Sequence, residues 1–364
     1  INLKDNMMKK IGILTFHRAE NFGAVFQCFA LMSYLQNKSY DVKIVDYRQY
    51  NIEKGYKLFC ITGDTLISKV KSLIILIFTL KNRWEKKRRF AKFRNRYLHL
   101  TSPIYDEYDF KDEYDYLICG SDQVWNLRLT AGVDNFYFLN IKTKAKKIAF
   151  AASSEQKDWP LMLSYLPNIK NALSTFHSIS VREEGFAKYI DKHFSVPCHI
   201  VSDPIFLFDK KFYKRFISNR PRKNKYILVY NLVESSKSRE VAKYLADKYK
   251  LKVITISASI QIKSFFRRDI TAFGPIELLE YIHNAEYIVT TSFHGLAFSL
   301  IFNRQVYAIS TNFNVRLTSL LTKVGLENRM VTNEFHESII DYSIVNNKLH
   351  DIRLENENFL NNNF

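Results

Sequence analysis

Glu286-Tyr-Ile-Val-Thr-Thr-Ser-Phe-His-Gly-Leu-Ala-Phe-Ser-Leu-Ile-Phe302 is the stretch that decides the fold. Tyr287–Thr290 is a short apolar, β-branched run, the pattern of a buried parallel strand. Residues 296–302 are apolar nearly all round and lack Pro and Gly, which fits a buried helix. Thr291-Ser-Phe-His-Gly295 joins the two. A strand that enters a helix through a tight turn presents backbone N–H groups and the positive end of the helix dipole to an anion. Gly295 is expected to let the backbone approach that ligand. His294 stands beside it with a side chain that exchanges a proton near neutral pH. In open α/β sheets, ligands bind outside the carboxyl ends of strands, and this turn lies at such an end. The plainer reading of the same residues makes Ser292 a helix cap and His294 a hydrogen-bonded loop residue.

The chain around this stretch has 364 residues, 47% of them hydrophobic, enough for two α/β domains with sizeable cores. Cys28, Cys60, Cys119 and Cys198 show no C-x-x-C spacing and read as buried thiols of a reducing compartment. The first residues are polar and carry no signal-peptide core, and no apolar run reaches the roughly 18 residues of a spanning helix. A cytoplasmic protein is expected. The formal net charge of +18 calls for an anionic partner, which a nucleic acid, a membrane face or a small acidic substrate would each provide.

Upstream, residues 11–16, a loop and an amphipathic helix over 24–36 lead to a strand over 42–47, a βαβ opening. The loop lacks G-x-G-x-x-G, so Asp46 at the second strand end is weak support for dinucleotide binding. Residues 66–96 read as one or two helices, apolar first and then densely basic with Trp84, Phe90 and Phe93 interleaved. Two readings stand: a helix on an anionic bilayer, or a hairpin packed on its domain with a solvated basic face. A basic helix without a reader module gives only non-specific affinity, so nucleic acid is not the expected partner.

Further strands are expected over 116–119, 147–151, from Ile179 to an end on Arg182 and Glu183, and over 200–208, and a helix over 161–173. Gly120-Ser-Asp-Gln-Val-Trp-Asn126 follows the first of these strands. Its Ser121, Asp122, Gln123 and Asn126 beside Trp125 fit a pocket for a hydroxylated ligand, or simply a helix cap. Arg182 is the best single candidate for a forked carboxylate or phosphate clamp. Its plainer alternative is an ion pair with Glu183 or Glu184. A hinge near 200–208 and a linker over 215–225 separate a second βαβ series: strands 226–233, 253–257 and 306–310, and helices 238–249, 276–284 after Pro275, and 314–324, with Arg316 near the start of the last. The expected division is 9–210 with an insertion at 62–98, then 222–335, then a polar tail over 336–364 that is helical before it frays. Two Rossmann-like domains with parallel sheets facing an interdomain cleft make a GT-B-like α/β fold.

Four loops in order, Glu20-Asn-Phe-Gly-Ala24 with Gln27, Gly120-Ser-Asp-Gln-Val-Trp-Asn126, Val181-Arg-Glu183 and Thr291-Ser-Phe-His-Gly295, with Ser202-Asp-Pro204 between the last two, resemble the polysaccharide pyruvyl transferase family. The resemblance runs from about Lys10 to about Gly325. It implies a GT-B-like fold and transfer of a pyruvyl unit from phosphoenolpyruvate to two hydroxyls of one sugar, closing a cyclic ketal. By position, His294 matches the family's essential histidine and Arg182 its donor-binding arginine. Many members carry an aspartate where this chain has Ala24.

The expected site therefore comprises His294 as proton carrier and Asp122 or Glu183 as acceptor-side base. Arg182, Ser292, Phe293, Gly295, Arg316, Asn21, Gly23, Gln27, Gly120, Ser121, Gln123, Trp125 and Asn126 are its expected binding residues. No metal constellation is visible, and no cofactor is expected beyond the donor phosphoenolpyruvate. The expected acceptor is a lipid-linked saccharide at the inner membrane face, which residues 66–96 would hold the enzyme against. Two other classes remain open: a GT-B nucleotide-sugar glycosyltransferase, and a non-catalytic assembly protein at the membrane.

Overall fold

The structure, a computed structural model, describes residues 8–59, 65–218, 225–258, 269–311 and 315–364, without the Lys71 side chain. Cys60, part of the expected linker and the expected helix start at Asn314 lie outside these residues. The chain divides into two units. The first gathers Ile1–Tyr56, Arg94–Leu207 and Ile352–Phe364; the second gathers Lys57–Phe93 and Phe208–Asp351. The expected insertion thus belongs mostly with the second unit, and the end of the expected tail with the first.

The first unit is built on β1 (Lys10–Leu14), β2 (Asp41–Ile44), β3 (Tyr116–Cys119), β4 (Lys146–Ala152), β5 (Ser178–Val181) and β6 (His199–Ile200). They form one sheet in the order β2-β1-β3-β4-β5-β6, every pair parallel. The second unit holds β7 (Tyr226–Asn231), β8 (Lys252–Ser257), β9 (Tyr287–Thr290), β10 (Gln305–Ile309) and β11 (Met330–Val331) in the order β11-β10-β9-β7-β8, again parallel. Fully buried β3 and β9 have the unbroken apolar sequences of strands covered on both faces. Each sheet reverses its winding once, between β1 and β3 in the first unit and between β7 and β9 in the second. These are the points where loops part and leave a crevice.

Several expectations are corrected. The helix Phe22–Asn37 begins two residues early and is buried almost all round rather than amphipathic. Residues 200–208 are not a strand: β6 stops at Ile200, and Pro204, lacking an N–H, opens a 3-10 turn over Pro204–Leu207. The helix expected over 161–173 is a 3-10 segment, Gln156–Tyr165, followed by the α-helix Leu166–Ser174. Leu66–Tyr97 is one continuous helix, not a hairpin. In the tail, Tyr342–Asn361 is helical and buries Val345, Leu349, Ile352, Asn356, Phe359 and Leu360, a stripe at helical spacing.

Candidate active site

In the second unit, β9 ends at Thr290 and the helix Phe293–Ile301 starts three residues later. Ser292 caps it, its Oγ accepting from the Gly295 N–H at 3.2 Å, and its own N–H donates to Thr290 Oγ1 at 3.0 Å. The cap thereby takes one of the N–H groups expected for an anion. His294 lies in the first helical turn, 7% exposed, with the Phe293 ring edge-on at 5.0 Å. Gly295 has a different reason from the one expected. A Cβ there would come within 2.5 Å of Thr290 Oγ1 and 2.9 Å of the Tyr230 ring, so packing of helix on sheet demands the glycine. Burial pushes the Tyr230 phenol well up, with a hydrogen bond to Ser292 pulling the other way. The turn leaves β9 beside the end of β7, at this unit's switch point. Arg316 sits half-buried on a separate helix, Val315–Val324.

In the first unit, the ends of β3, β4 and β5 bring Ser121, Asp122, Ser153, Arg182 and Glu183 together. Asp122 has φ +86°, unusual for a residue with a side chain. That conformation lets its carbonyl accept the Ser153 N–H at 3.0 Å while Oδ1 accepts the Gln123 N–H at 2.9 Å. Ser153 Oγ donates to Glu183 Oε1 at 2.8 Å. Arg182 Nη1 donates to Asp203 Oδ2 at 2.7 Å, and Nη2 stands 3.6 Å from Asp122 Oδ1, an ion pair beyond hydrogen-bond range. Burial pulls the Arg182 guanidinium down, but Asp203, Glu183 and Asp122 outweigh it and hold it above its ordinary value. One buried cation is thus matched by three carboxylates. The hydrogen-bonded partner of Arg182 is the buried Asp203 rather than a surface carboxylate, and Glu183, itself buried, adds to the negative field on the guanidinium.

Gln27 lies fully buried beneath this cluster. Its Nε2 donates to Thr15 Oγ1 at 2.8 Å, and Thr15 Oγ1 donates to the Ser121 carbonyl at 2.7 Å. Gln27 Oε1, Ser121 Oγ and Ser154 Oγ are buried without a hydrogen-bond partner among the described residues. Gly120 packs against Thr15, its missing Cβ 3.1 Å from Thr15 Cβ.

Other expected residues serve the fold. Asn21 caps the first helix, accepting from Gly23 N and Ala24 N at 2.9 and 3.4 Å, and Gly23 is buried inside that helix. Trp125 has no exposed surface: it stacks on Phe138 and donates to the Tyr137 carbonyl at 2.9 Å. Asn126 caps the helix Leu127–Thr130 and donates to Gln123 and Asp158. Sequence reasoning also passed over a cluster after β1 and β2. His17 Nε2 meets Asp46 Oδ1 at 2.8 Å, and Arg48 grips the same carboxylate through Nε and Nη2. Burial would raise Asp46, but the hydrogen bonds from His17 and Arg48 hold it well below the usual carboxylate range. Asp46 is therefore committed within the protein and is no ribose ligand. The signal was a charged residue just beyond each of two adjacent strands.

The family model for polysaccharide pyruvyl transferase matches residues 21–312, most of the chain. The chain belongs to the polysaccharide pyruvyl transferase family. It is accordingly a transferase of polysaccharide biosynthesis, and the family implies a pyruvyl donor and a sugar acceptor. Its two parallel α/β units are those of a GT-B-like fold. Similar solved structures include the UDP-GlcNAc 2-epimerase from Methanocaldococcus jannaschii, at 11% identity and TM-score 0.46, covering 95% of this chain and 93% of that one. The S. aureus MnaA–UDP structure scores 0.49 at 11% identity, covering 97% and 95%. E. coli heptosyltransferase WaaC with ADP scores 0.43 at 10% identity, covering 95% and 98%. No curated protein matches the chain in sequence. Among the described residues, no helix is long and apolar enough to cross a membrane, and no group of three or more His, Cys, Asp or Glu could hold a metal ion.

Proposed function

We propose that this pyruvyl transferase moves the pyruvyl group of phosphoenolpyruvate onto two hydroxyls of one sugar in a surface-polysaccharide precursor. The observation that carries the reading is His294, held in the first turn of a capped helix at the switch point of its sheet. A proton delivered to the methylene carbon of the enol makes C2 electrophilic. One sugar hydroxyl adds to C2, the C2–O bond to phosphate breaks, and the second hydroxyl closes the ketal. Of the two hydroxyl protons, one is balanced by the new methyl C–H and the other by the departing phosphate. His294 is the proton carrier, and general acid–base help of this kind is worth about 10²–10⁴ in rate.

The acid-rich cluster of the first unit suits the acceptor. Carboxylates accept hydrogen bonds from sugar hydroxyls, and Asp122 or Glu183 takes the hydroxyl proton. With its charge already matched by Asp203, Asp122 and Glu183, Arg182 acts first by fixing those carboxylates. Its part in donor binding rests on its match to the family's arginine.

The test is incubation of the protein with phosphoenolpyruvate and a panel of galactosides, mannosides and lipid-linked glycans, following inorganic phosphate and ketal formation. Phosphate release that depends on the acceptor supports the reading. Nucleotide release from a sugar nucleotide, with phosphoenolpyruvate inert, would replace it with glycosyl transfer.

A further inference from the structure

The helix Leu66–Tyr97 has one face held by the second unit and the other face open to solvent. On the held face Leu76, Thr79, Lys86, Phe90 and Phe93 are buried. Lys86 Nζ donates to the Ala258 carbonyl at 2.9 Å, Asn82 to Thr271 Oγ1 at 2.9 Å, and Arg89 to Glu277 Oε1 at 3.0 Å.

At about 100° per residue, the opposite face carries Leu66, Ile67, Val70, Leu73, Ile74 and Ile77, all exposed, Leu66 at 79% and Ile77 at 65%. Farther along that same face come Lys81, Trp84, Lys87, Arg88 and Lys92, also exposed. The open face is thus uneven along the helix: about 18 Å of mainly aliphatic surface over 66–78, broken by Lys69, then a cationic stretch from Lys81 to Lys92 that holds Trp84, with the Arg88 guanidinium 5.3 Å from its ring. Glu85, the only acid of the helix, is half-buried and pairs with Arg89 at 3.7 Å. An aliphatic half followed by a cationic half with an interleaved tryptophan matches the two chemistries of a bilayer surface, acyl chains and anionic headgroups.

We propose that this face seats the protein on an anionic lipid bilayer, residues 66–78 entering the acyl boundary and Lys81, Lys87, Arg88 and Lys92 meeting the headgroups. The charge complementarity decides the occupant. A second copy of this chain, itself strongly basic, would bring like charges together at the cationic half of the face. The inference does not depend on the transfer chemistry.

The test is flotation of the full chain with phosphatidylcholine vesicles, with and without phosphatidylglycerol, at low and high salt. Beside it run the doubly substituted Leu73→Glu/Ile77→Glu and Lys87→Glu/Arg88→Glu proteins and the milder Ile77→Ser. Binding to the anionic vesicles is expected, weakened more than about tenfold by high salt or by the charge reversals, and likewise by the two glutamates. Ile77→Ser is expected to weaken it less, with an unchanged thermal melt that separates lost docking from lost folding. Failure of the parent protein to float with anionic vesicles overturns the proposal. Flotation indifferent to all three variants overturns it as well. So does self-association in light scattering that Ile77→Ser abolishes while vesicle binding is absent, which would assign the face to a second copy.

Discussion

Arg182 Nη1 lies 2.7 Å from Asp203 Oδ2, and neither side chain reaches solvent to any useful extent. The pair joins the end of β5 to the segment after β6. Removing one member of such a pair leaves a buried charge uncompensated, at a cost of about 3–5 kcal/mol. Arg182→Met, which leaves Asp203, Asp122 and Glu183 without their shared cation, should therefore destabilise the protein by at least about 3 kcal/mol in urea unfolding. The paired replacement Arg182→Met/Asp203→Leu should cost clearly less. Equal losses in the two proteins would mean that the pair is not what the segment depends on.

His294→Ala should lower turnover with phosphoenolpyruvate by about 10² or more while leaving the circular dichroism spectrum and melting point unchanged. Near-normal turnover in the variant would remove the proposed proton carrier.

Gly295→Ala should destabilise by about 1–3 kcal/mol, because the new methyl meets Thr290 and Tyr230 at distances no side chain tolerates. A variant with an unchanged melting temperature would contradict the packing reason given for this glycine.

His283 is held low, at about 4, first by burial and then by the charges of Arg304 and Lys214. The unfolded chain takes up this proton near pH 6.5 and the folded chain only near 4. Stability from the neutral imidazole is therefore complete above about pH 6.5 and drains away as pH falls towards 4, on the order of 2–3 kcal/mol in all. His283→Gln should flatten the fall in stability across that window in urea titrations. An identical slope in parent and variant would assign the acid sensitivity elsewhere.

Turnover should survive EDTA, because the proposed proton transfers run through His294 and a carboxylate rather than through a metal. Activity lost to EDTA and restored by a divalent cation would require a metal in the mechanism.

The sheets were legible because parallel strands buried on both faces are short, β-branched and unbroken, as Tyr287–Thr290 and Tyr226–Asn231 are. The turn at Ser292–Gly295 was legible for the same reason, lying between two strong signals. What escaped depends on contacts distant in sequence. Asp203 reads as turn chemistry until Arg182, 21 residues away, is placed against it. His17 and Asp46, 29 apart, look like unrelated loop residues. Trp125 was drawn towards a pocket by its polar neighbours, although its ring packs on Phe138. The tail reads as helical from its sequence, but nothing in that reading marks one of its asparagines, Asn356, as fully buried.

That asparagine has a consequence for how the molecule is made. Its Oδ1 accepts the Ser202 N–H at 2.8 Å and its Nδ2 donates to the Asp203 carbonyl at 3.3 Å, across more than 150 positions of chain. The first unit therefore cannot be completed during synthesis before the second has left the ribosome, and a recombinant fragment stopping at residue 207 would lack the strap that steadies Asp203.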